Sequence, residues 1–344
     1  MTFRSGPDSP THVPVPATLP TTPLVMVTGK GGVGRSSTAT AVAVALAGLG
    51  RDVALVHPLD APHVPPPADT PADLHIIPLD RERVLRHYIG DQMPGPLAAA
   101  LNASRAFRLI AAATPGLAEL LTIGELKRLT ERHDHIVFDA PATGHLLAML
   151  DSPGRFERAA VAGPVARRAK ELGDWIVDPA MSSMIAVTTG DGLAVSELLD
   201  LLDLLELRMP GGPSLVVANR LAPASPSSGE LDRLADGAGD DPLVGAITKL
   251  AGRARSERAQ LGRITKHVGV APLRALERPG HAVLSIAAAL RGETPPAPDP
   301  DAHEPELAVP ERRTVTAGTA VERRRAERRL ADRRAGGDRY GDVS

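Results

Sequence analysis

Gly29-Lys30-Gly31-Gly32-Val33-Gly34-Arg35-Ser36-Ser37 stands between the apolar run Leu24-Val25-Met26-Val27-Thr28 and an alanine-rich stretch, Ser36 to Leu49, closed by Gly50. A short apolar run bounded by Pro23 and Gly29 reads as a buried strand, and the alanine-rich stretch reads as a helix. The glycines between them let successive backbone N–H groups curl around phosphate oxygens, and the helix N-terminus adds its positive dipole end. The Ser36 hydroxyl falls where the serine or threonine of a phosphate-binding loop ligates Mg²⁺. A merely tight strand-to-helix turn needs one or two glycines and neither the lysine nor the hydroxyl. In the pattern G-x-x-x-x-G-K-[ST], Arg35 takes the lysine position; it keeps the charge but is longer and planar. The expected ligands are ATP and Mg²⁺, with Gly29 to Ser37 as the cradle.

Outward from this loop, further apolar runs lie at Val53 to Val56, Leu74 to Ile77, Ile136 to Phe138, Met184 to Val187 and Leu215 to Ala218. Helical patterns at 81–88, 97–113, 117–131 and 195–207 separate most of them. Short apolar strands alternating with helices imply an α/β fold, a P-loop NTPase with a mostly parallel central sheet flanked by helices. The distance from Ile77 to Ile136 exceeds one crossover helix, so residues 81–132 read as a helical insertion subdomain of two or three helices. A second helical stretch is expected at about 152–174, and residues 271–292 read as a final turn and helix.

Both ends differ from this core. Residues 1–22 are rich in Pro, Ser and Thr and read as a disordered segment without the apolar stretch of a secretory signal. Residues 293–310 form a Pro-rich acidic linker. Arginine pairs or triplets start at 312, 323, 328 and 333 within a tail that reads as a solvated helix, a disordered appendage or, alternatively, a binding arm. The domain proper is therefore 23–292, followed by linker and tail over 293–344. The formal net charge of −2 demands neither nucleic acid nor an anionic membrane as partner. No run of about 18 apolar residues predicts a membrane span, and a cytoplasmic location is expected. The absence of cysteine excludes disulfides, thiolate chemistry and cysteine-ligated zinc.

Lys30 directly after the first loop glycine marks the deviant Walker A class (SIMIBI type), and the chain resembles the ArsA/Get3 family of dimeric ATPases, the anion-pump and tail-anchored-protein-targeting ATPases. The resemblance runs from about Pro23 to Gly292. Besides the loop it rests on Asp139-Ala140-Pro141-Ala142-Thr143-Gly144-His145, similar to the family's switch motif D-T-A-P-T-G-H. Asp60-Ala61-Pro62-His63 resembles the D-P-A-H switch with two residues transposed, an ordinary loop being the other reading. Val216-Val217-Ala218-Asn219-Arg220 matches the strand that ends beside the adenine, and Thr188 to Glu197 has the family's look.

The resemblance implies a dimer in which Lys30 of one subunit reaches the phosphates held by the other. Arg35 would cradle phosphates in its own subunit, and Asp60 would orient or deprotonate the attacking water. Ser36 would bind Mg²⁺ directly and Asp139 through water; Asn219 and Arg220 would flank the adenine. Such an ATPase, homodimeric or heterodimeric with a related subunit, would move its helical subdomains on an unidentified client. The apolar stretch from Leu109 to Leu121, with Met93 and Met149 near its edges, reads as client groove or as core. A non-hydrolysing regulatory subunit, with Arg35 marking lost chemistry, is the alternative. A ParA/MinD-type positioning ATPase shares the loop but not the heptad or the insertion. Arsenite-pumping relatives use cysteine thiolates and many targeting relatives use paired CxxC zinc, both missing here. His57, His63 and His145 fall on the switch segments, and a metal site there is weighed against their place in family-like motifs.

Overall fold

The computed structural model describes residues 19–59, 64–68, 70, 73–92, 95–105, 113–160, 163–222, 229–231, 233, 242–269, 273–276 and 282–293. All of the described residues belong to the unit Met1–Ala308, and Val309–Ser344 lies wholly outside the described residues. The same is true of most of the expected N-terminal segment and of the linker.

Seven parallel strands make one sheet. They are β1 (Leu24–Gly29), β2 (Val53–Pro58), β3 (Leu74–Leu79), β4 (His135–Asp139), β5 (Ser182–Thr189), β6 (Leu215–Leu221) and β7 (Leu273–Leu276), in the spatial order β3-β2-β4-β1-β5-β6-β7. β1 is central, in register with β4 through Leu24–Ile136 to Val27–Asp139 and with β5 through Leu24–Ser182 to Gly29–Val187. The described helices are α1 (Arg35–Ala47), α2 (Arg81–Gln92), α3 (Gly95–Ala103), α4 (Leu117–Leu129), α5 (Thr143–Ala160), α6 (Pro164–Val177), α7 (Gly192–Glu206), α8 (Pro242–Val268) and α9 (Ala282–Arg291).

Both sheet faces are covered, which is why the strands read as unbroken apolar runs rather than alternating ones. Leu24, Met26, Val56, Ile136 and Phe138 face one core with Ile123 and Leu126 of α4, Leu146 of α5, and Leu172 and Ile176 of α6. Val25, Val27, Leu55, Val137 and Ile185 face the other, closed by α1 and by Val283, Ile286 and Leu290 of α9. α1 is buried from Thr38 to Ala47. Its small alanines let the helix lie flat between sheet and α9, where bulkier residues would overpack. A third cluster joins Val216, Ala218 and Leu221 of β6 to Val195, Leu198 and Leu202 of α7 and Leu261 and Ile264 of α8.

The expected insertion is present as α2, α3 and α4, but it is not an outlying body. α4 buries Ile123 and Leu126 completely in the sheet's own core, because it is also the helix that brings the chain back from edge strand β3 to β4. The second helical stretch proves to be two helices, α5 and α6, longer than 152–174 at both ends. The final segment differs from expectation: β7 precedes the last helix and pairs in parallel with β6. Its four residues, Leu273-Arg274-Ala275-Leu276, are too few and too mixed in character to carry a readable strand signal. The N-terminal boundary also moves, since Thr22 bonds Leu24 O and the Ser183 hydroxyl and Leu19 packs on the core. Among the described residues no helix is long and apolar enough to cross a membrane.

Candidate nucleotide site

Ligands of open parallel sheets bind beyond the carboxyl ends of the strands, where neighbouring connections part. Here the chain leaves β1 for β2, and β4 lies between them. The loop after β1, the heptad after β4, the segment after β5 and the Asn-Arg pair of β6 therefore meet at one end of the sheet.

The loop's conformation requires its glycines at two points. Gly29 has φ 154° and lies so close to the Val187 carbonyl of β5 that a Cβ would overlap it. Gly34 has φ 91°, and a Cβ there would overlap the Asn219 amide. Gly34 is also the N-cap of α1 and supplies no side-chain cap, so the first-turn N–H groups of the helix remain available to an anion. Gly31 and Gly32 are exposed, and a methyl group added at either would meet no neighbour within 4 Å, leaving the outer rim of the loop open.

A set of polar contacts ties the loop to the rest of the site. The Ser36 hydroxyl donates to Asp139 Oδ2 at 2.6 Å. Arg35 Nη1 donates to the carbonyl of Ala140, the next residue of the heptad, at 2.6 Å. Lys30 Nζ donates to Glu197 Oε1 of α7 at 2.6 Å. Asn219 Nδ2 donates to Val33 O at 3.0 Å, and the Arg220 guanidinium reaches Gly32 O at 3.2 Å. Thr28 Oγ1 adds a bond to Pro141 O at 3.2 Å, binding the end of β1 to the heptad.

Ser36 and Asp139 place two hard oxygen donors at the mouth of the loop, the donor set that suits Mg²⁺ rather than a softer ion. Asp139 is buried at 6% exposure, so its charge is held in a setting where a cation gains more than in bulk water. The residues present thus fit a nucleotide with its Mg²⁺: glycine amides and Arg35 for phosphate, Ser36 and Asp139 for the ion.

Of the residues singled out in sequence, the structure brings together Gly29 to Ser36, Asp139, Asn219 and Arg220. Ser37 follows on the first turn of α1. Asp60 to His63 lie outside the described residues, as does Met93. Asn219 is almost fully buried, with its amide on Val33 O and its carbonyl oxygen on the Arg220 N–H; in this state it braces the loop from behind. Of the histidines, His57 is buried with Nδ1 3.1 Å from Pro58 O, and His145 is exposed. Met149 is core, while Leu117, Leu120 and Leu121 line a cavity of about 200 Å³ with Tyr88, Phe156 and Leu172.

Sequence reading missed the supports supplied by α8. Glu257 is buried and accepts from Ala222 N at 2.8 Å and from Arg253 Nε at 2.7 Å, while Arg253 Nη2 donates to Arg220 O at 2.6 Å. These bonds hold the end of β6, where Arg220 takes the left-handed φ of 55°. The i,i+4 Arg253–Glu257 pair was the available signal. On α7, Asp191 caps the helix through Ala194 N at 2.9 Å and accepts from Thr189 Oγ1. The Thr189 hydroxyl, then the Ala194 N–H, hold its carboxyl below the usual aspartate range, with the Lys30 charge assisting.

Comparison with known proteins finds ATPases. A family model described as "Anion-transporting ATPase" matches residues 22–64, the span from β1 through the loop, α1 and β2. Two mycobacterial proteins, "ATPase BagA" of Mycobacterium tuberculosis (strain ATCC 25618 / H37Rv) and "Putative ATPase Mb3704" of Mycobacterium bovis, are each 29% identical over 256 residues, covering 67% of this chain and 74% of the relative. The stretch that the family model matches is the one the sheet presents at its centre, and the model and the relatives together support an ATPase similar to the ArsA/Get3 family.

Proposed function

We propose that this chain is a Mg²⁺-dependent ATP phosphohydrolase that works as a dimer and uses its nucleotide cycle to move helices on a protein client. The observation that carries the reading is the 2.6 Å bond from Ser36 Oγ to Asp139 Oδ2. It joins the phosphate loop to the heptad through the two oxygens best suited to Mg²⁺, so loading the site must exchange that bond for metal contacts and shift the heptad. α5 begins at Thr143, inside the heptad, and packs on the helices that line the apolar cavity. A shift at Asp139 therefore has a direct mechanical route to the α2–α4–α6 surface.

In the reaction, water attacks the γ-phosphorus in line and ADP leaves, with charge spread over the phosphoryl oxygens. Loop amides and Arg35 stabilise that charge within the subunit, and Lys30 of the facing subunit adds a second cation, the electrostatic contribution that dominates such transfers. Asp60 orients the water. Asn219 and Arg220 would flank the base once the Asn219 amide releases Val33 O.

A non-hydrolysing regulatory subunit is the second reading, favoured by one contact: the Arg35 guanidinium is engaged with Ala140 O. Steady-state phosphate release with MgATP decides between them. Turnover in the wild-type protein that is lost in Asp60→Asn supports the enzyme. No turnover in the wild-type protein, gained in Arg35→Lys, supports the regulatory subunit.

A further inference from the structure

At the opposite end of the sheet from the phosphate loop, three side chains from three neighbouring strands converge. Asp52 immediately precedes β2, His75 is the second residue of β3, and His133 lies two residues before β4. Their strands are adjacent in the order β3-β2-β4, with Asp52 in the middle. Asp52 Oδ1 is 3.2 Å from His75 Nε2 and 3.0 Å from His133 Nδ1, and all three ligand atoms lie within 4.8 Å of one another. The imidazole rings are 5.1 Å apart, tilted at 44°, so they converge on the carboxylate without stacking.

We infer that Asp52, His75 and His133 form a binding site for one divalent transition-metal ion of borderline softness, Zn²⁺ above all, which clips the amino ends of β3, β2 and β4 together. Two imidazoles and one carboxylate are the donors that zinc takes, and with metal–ligand bonds of about 2.0–2.1 Å the ligand atoms of a tetrahedral site lie about 3.3 Å apart. The separation of 3.2 Å is close to that edge length, and the one of 3.0 Å is slightly shorter. Both imidazoles approach the same carboxylate oxygen, and the three ligand atoms are gathered within 4.8 Å of one another.

The main chain that carries Asp52 is also fixed before any ion arrives. Asp52 N–H donates to Asp134 Oδ2 at 3.2 Å, and Asp52 O accepts from His135 N–H at 3.1 Å. Val53 N–H is held by Asp73 O at 3.0 Å on the other side. These bonds hold the amino ends of β2 and β4 in place, so the positions from which Asp52 and His133 project are set by the sheet. The Asp134 carboxylate, whose Oδ2 accepts from Asp52 N–H, adds negative charge beside the cluster.

Access is open: the His75 and Asp52 side chains are 51% and 40% exposed while His133 is 15% exposed. Water can therefore fill the fourth position. Among the described strands β3 is an edge, paired with β2 alone, with Ile76 40% exposed. A clip from His75 across β2 to His133 gives that edge a second attachment. The cluster is remote in the fold from Ser36 and Asp139, so the ion held here is not the one that accompanies nucleotide.

The test is calorimetric titration of Zn²⁺ into chelator-treated full-length protein without nucleotide or Mg²⁺, with Co²⁺ as spectroscopic stand-in. One saturable equivalent per chain in the micromolar range is expected, together with a rise in melting temperature. His75→Gln, chosen because its side chain is half exposed and its loss spares the core, should weaken binding at least about tenfold and remove the visible Co²⁺ absorption. Asp52→Asn keeps a similar shape and should do the same. No saturable equivalent in the wild-type protein, or an equivalent that both variants retain at unchanged affinity, overturns the inference.

Discussion

Lys30 Nζ and Glu197 Oε1 form an ion pair 2.6 Å long that links the second residue of the phosphate loop to the second turn of α7. The two side chains are 34% and 43% exposed, and pairs this wet contribute at most about 1 kcal/mol. The contact therefore parks the lysine without locking it. A lysine that must serve a neighbouring subunit has to leave this position, and leaving is cheap. Lys30→Ala should abolish turnover while nucleotide affinity stays within a fewfold, because in the proposed dimer the lysine serves phosphates held by the facing subunit. Glu197→Gln, which frees the lysine, should change the turnover rate by no more than about fivefold. Steady-state kinetics beside equilibrium nucleotide binding checks both; undiminished hydrolysis in Lys30→Ala would remove the lysine from the mechanism.

The Ser36–Asp139 bond gives a separate expectation about the ion. Ser36→Ala removes a hydroxyl that both bonds Asp139 and offers a Mg²⁺ ligand, but leaves the glycine amides and Arg35 intact. Affinity for ATP in chelator should therefore hardly change, while the gain in affinity on adding Mg²⁺ should fall at least about tenfold. Fluorescent-nucleotide titrations with and without Mg²⁺ measure that difference directly. A variant that keeps the full Mg²⁺ gain would show that the ion is held without Ser36.

Much of this arrangement was legible in the residues, for a physical reason. A buried parallel strand must be apolar on both faces, so β1, β2, β4, β5 and β6 announce themselves as unbroken runs, and the glycines after β1 have no other economical use. α8 was silent because its buried stripe is Ala251, Ala254, Glu257, Leu261 and Ile264, in which two alanines and a charge replace the leucines that reveal an amphipathic helix. The Asp52–His75–His133 cluster was equally hidden. Its members stand 23 and 58 positions apart (75 − 52 and 133 − 75), and only the strand order β3-β2-β4 makes them neighbours. Asn219 was visible as a motif residue, but its bond to Val33 O depends on β6 ending two strands away from β1.

That bond sets up a coupling between Gly34 and Asn219. Gly34→Ala places a left-handed alanine, at about 1–2 kcal/mol, and drives its Cβ into the Asn219 amide. Asn219→Ala leaves the buried Val33 carbonyl without its donor, at about 1–3 kcal/mol. In the double variant the overlap no longer exists, so the combined loss should fall short of the sum of the two single losses by at least about 0.5 kcal/mol. Urea unfolding of the four proteins supplies the cycle. Strict additivity would mean that the loop moves away from Asn219 when Gly34 is replaced.

The charged pair beside the apolar cavity makes a prediction whose sign depends on pH. Glu125 of α4 is buried, and its carboxylate takes a fork from Arg128, with Nε at 2.8 Å and Nη2 on the other oxygen, while His87 Nδ1 stands 3.7 Å away. Burial pushes the carboxyl up, but the Arg128 bonds and charge, helped by His87, outweigh it and hold it below the usual glutamate range. A lowered carboxyl contributes stability that is complete above its unfolded value, about 4.3, and fades as pH falls through the lower folded one. In Arg128→Met the burial contribution is left opposed only by half-exposed His87, and the carboxyl moves upward. The variant should lose about 3 kcal/mol at pH 7.5, and its deficit against the wild-type protein should shrink as acid protonates Glu125. Glu125→Gln in the same background should recover most of the loss at pH 7.5 and flatten the pH dependence, because no charge then remains to strand. Denaturant melts from pH 4 to 8, about the range over which carboxylate and imidazole titrate, report all three proteins together. A deficit that stays constant across that range would mean that Arg128 matters for packing alone.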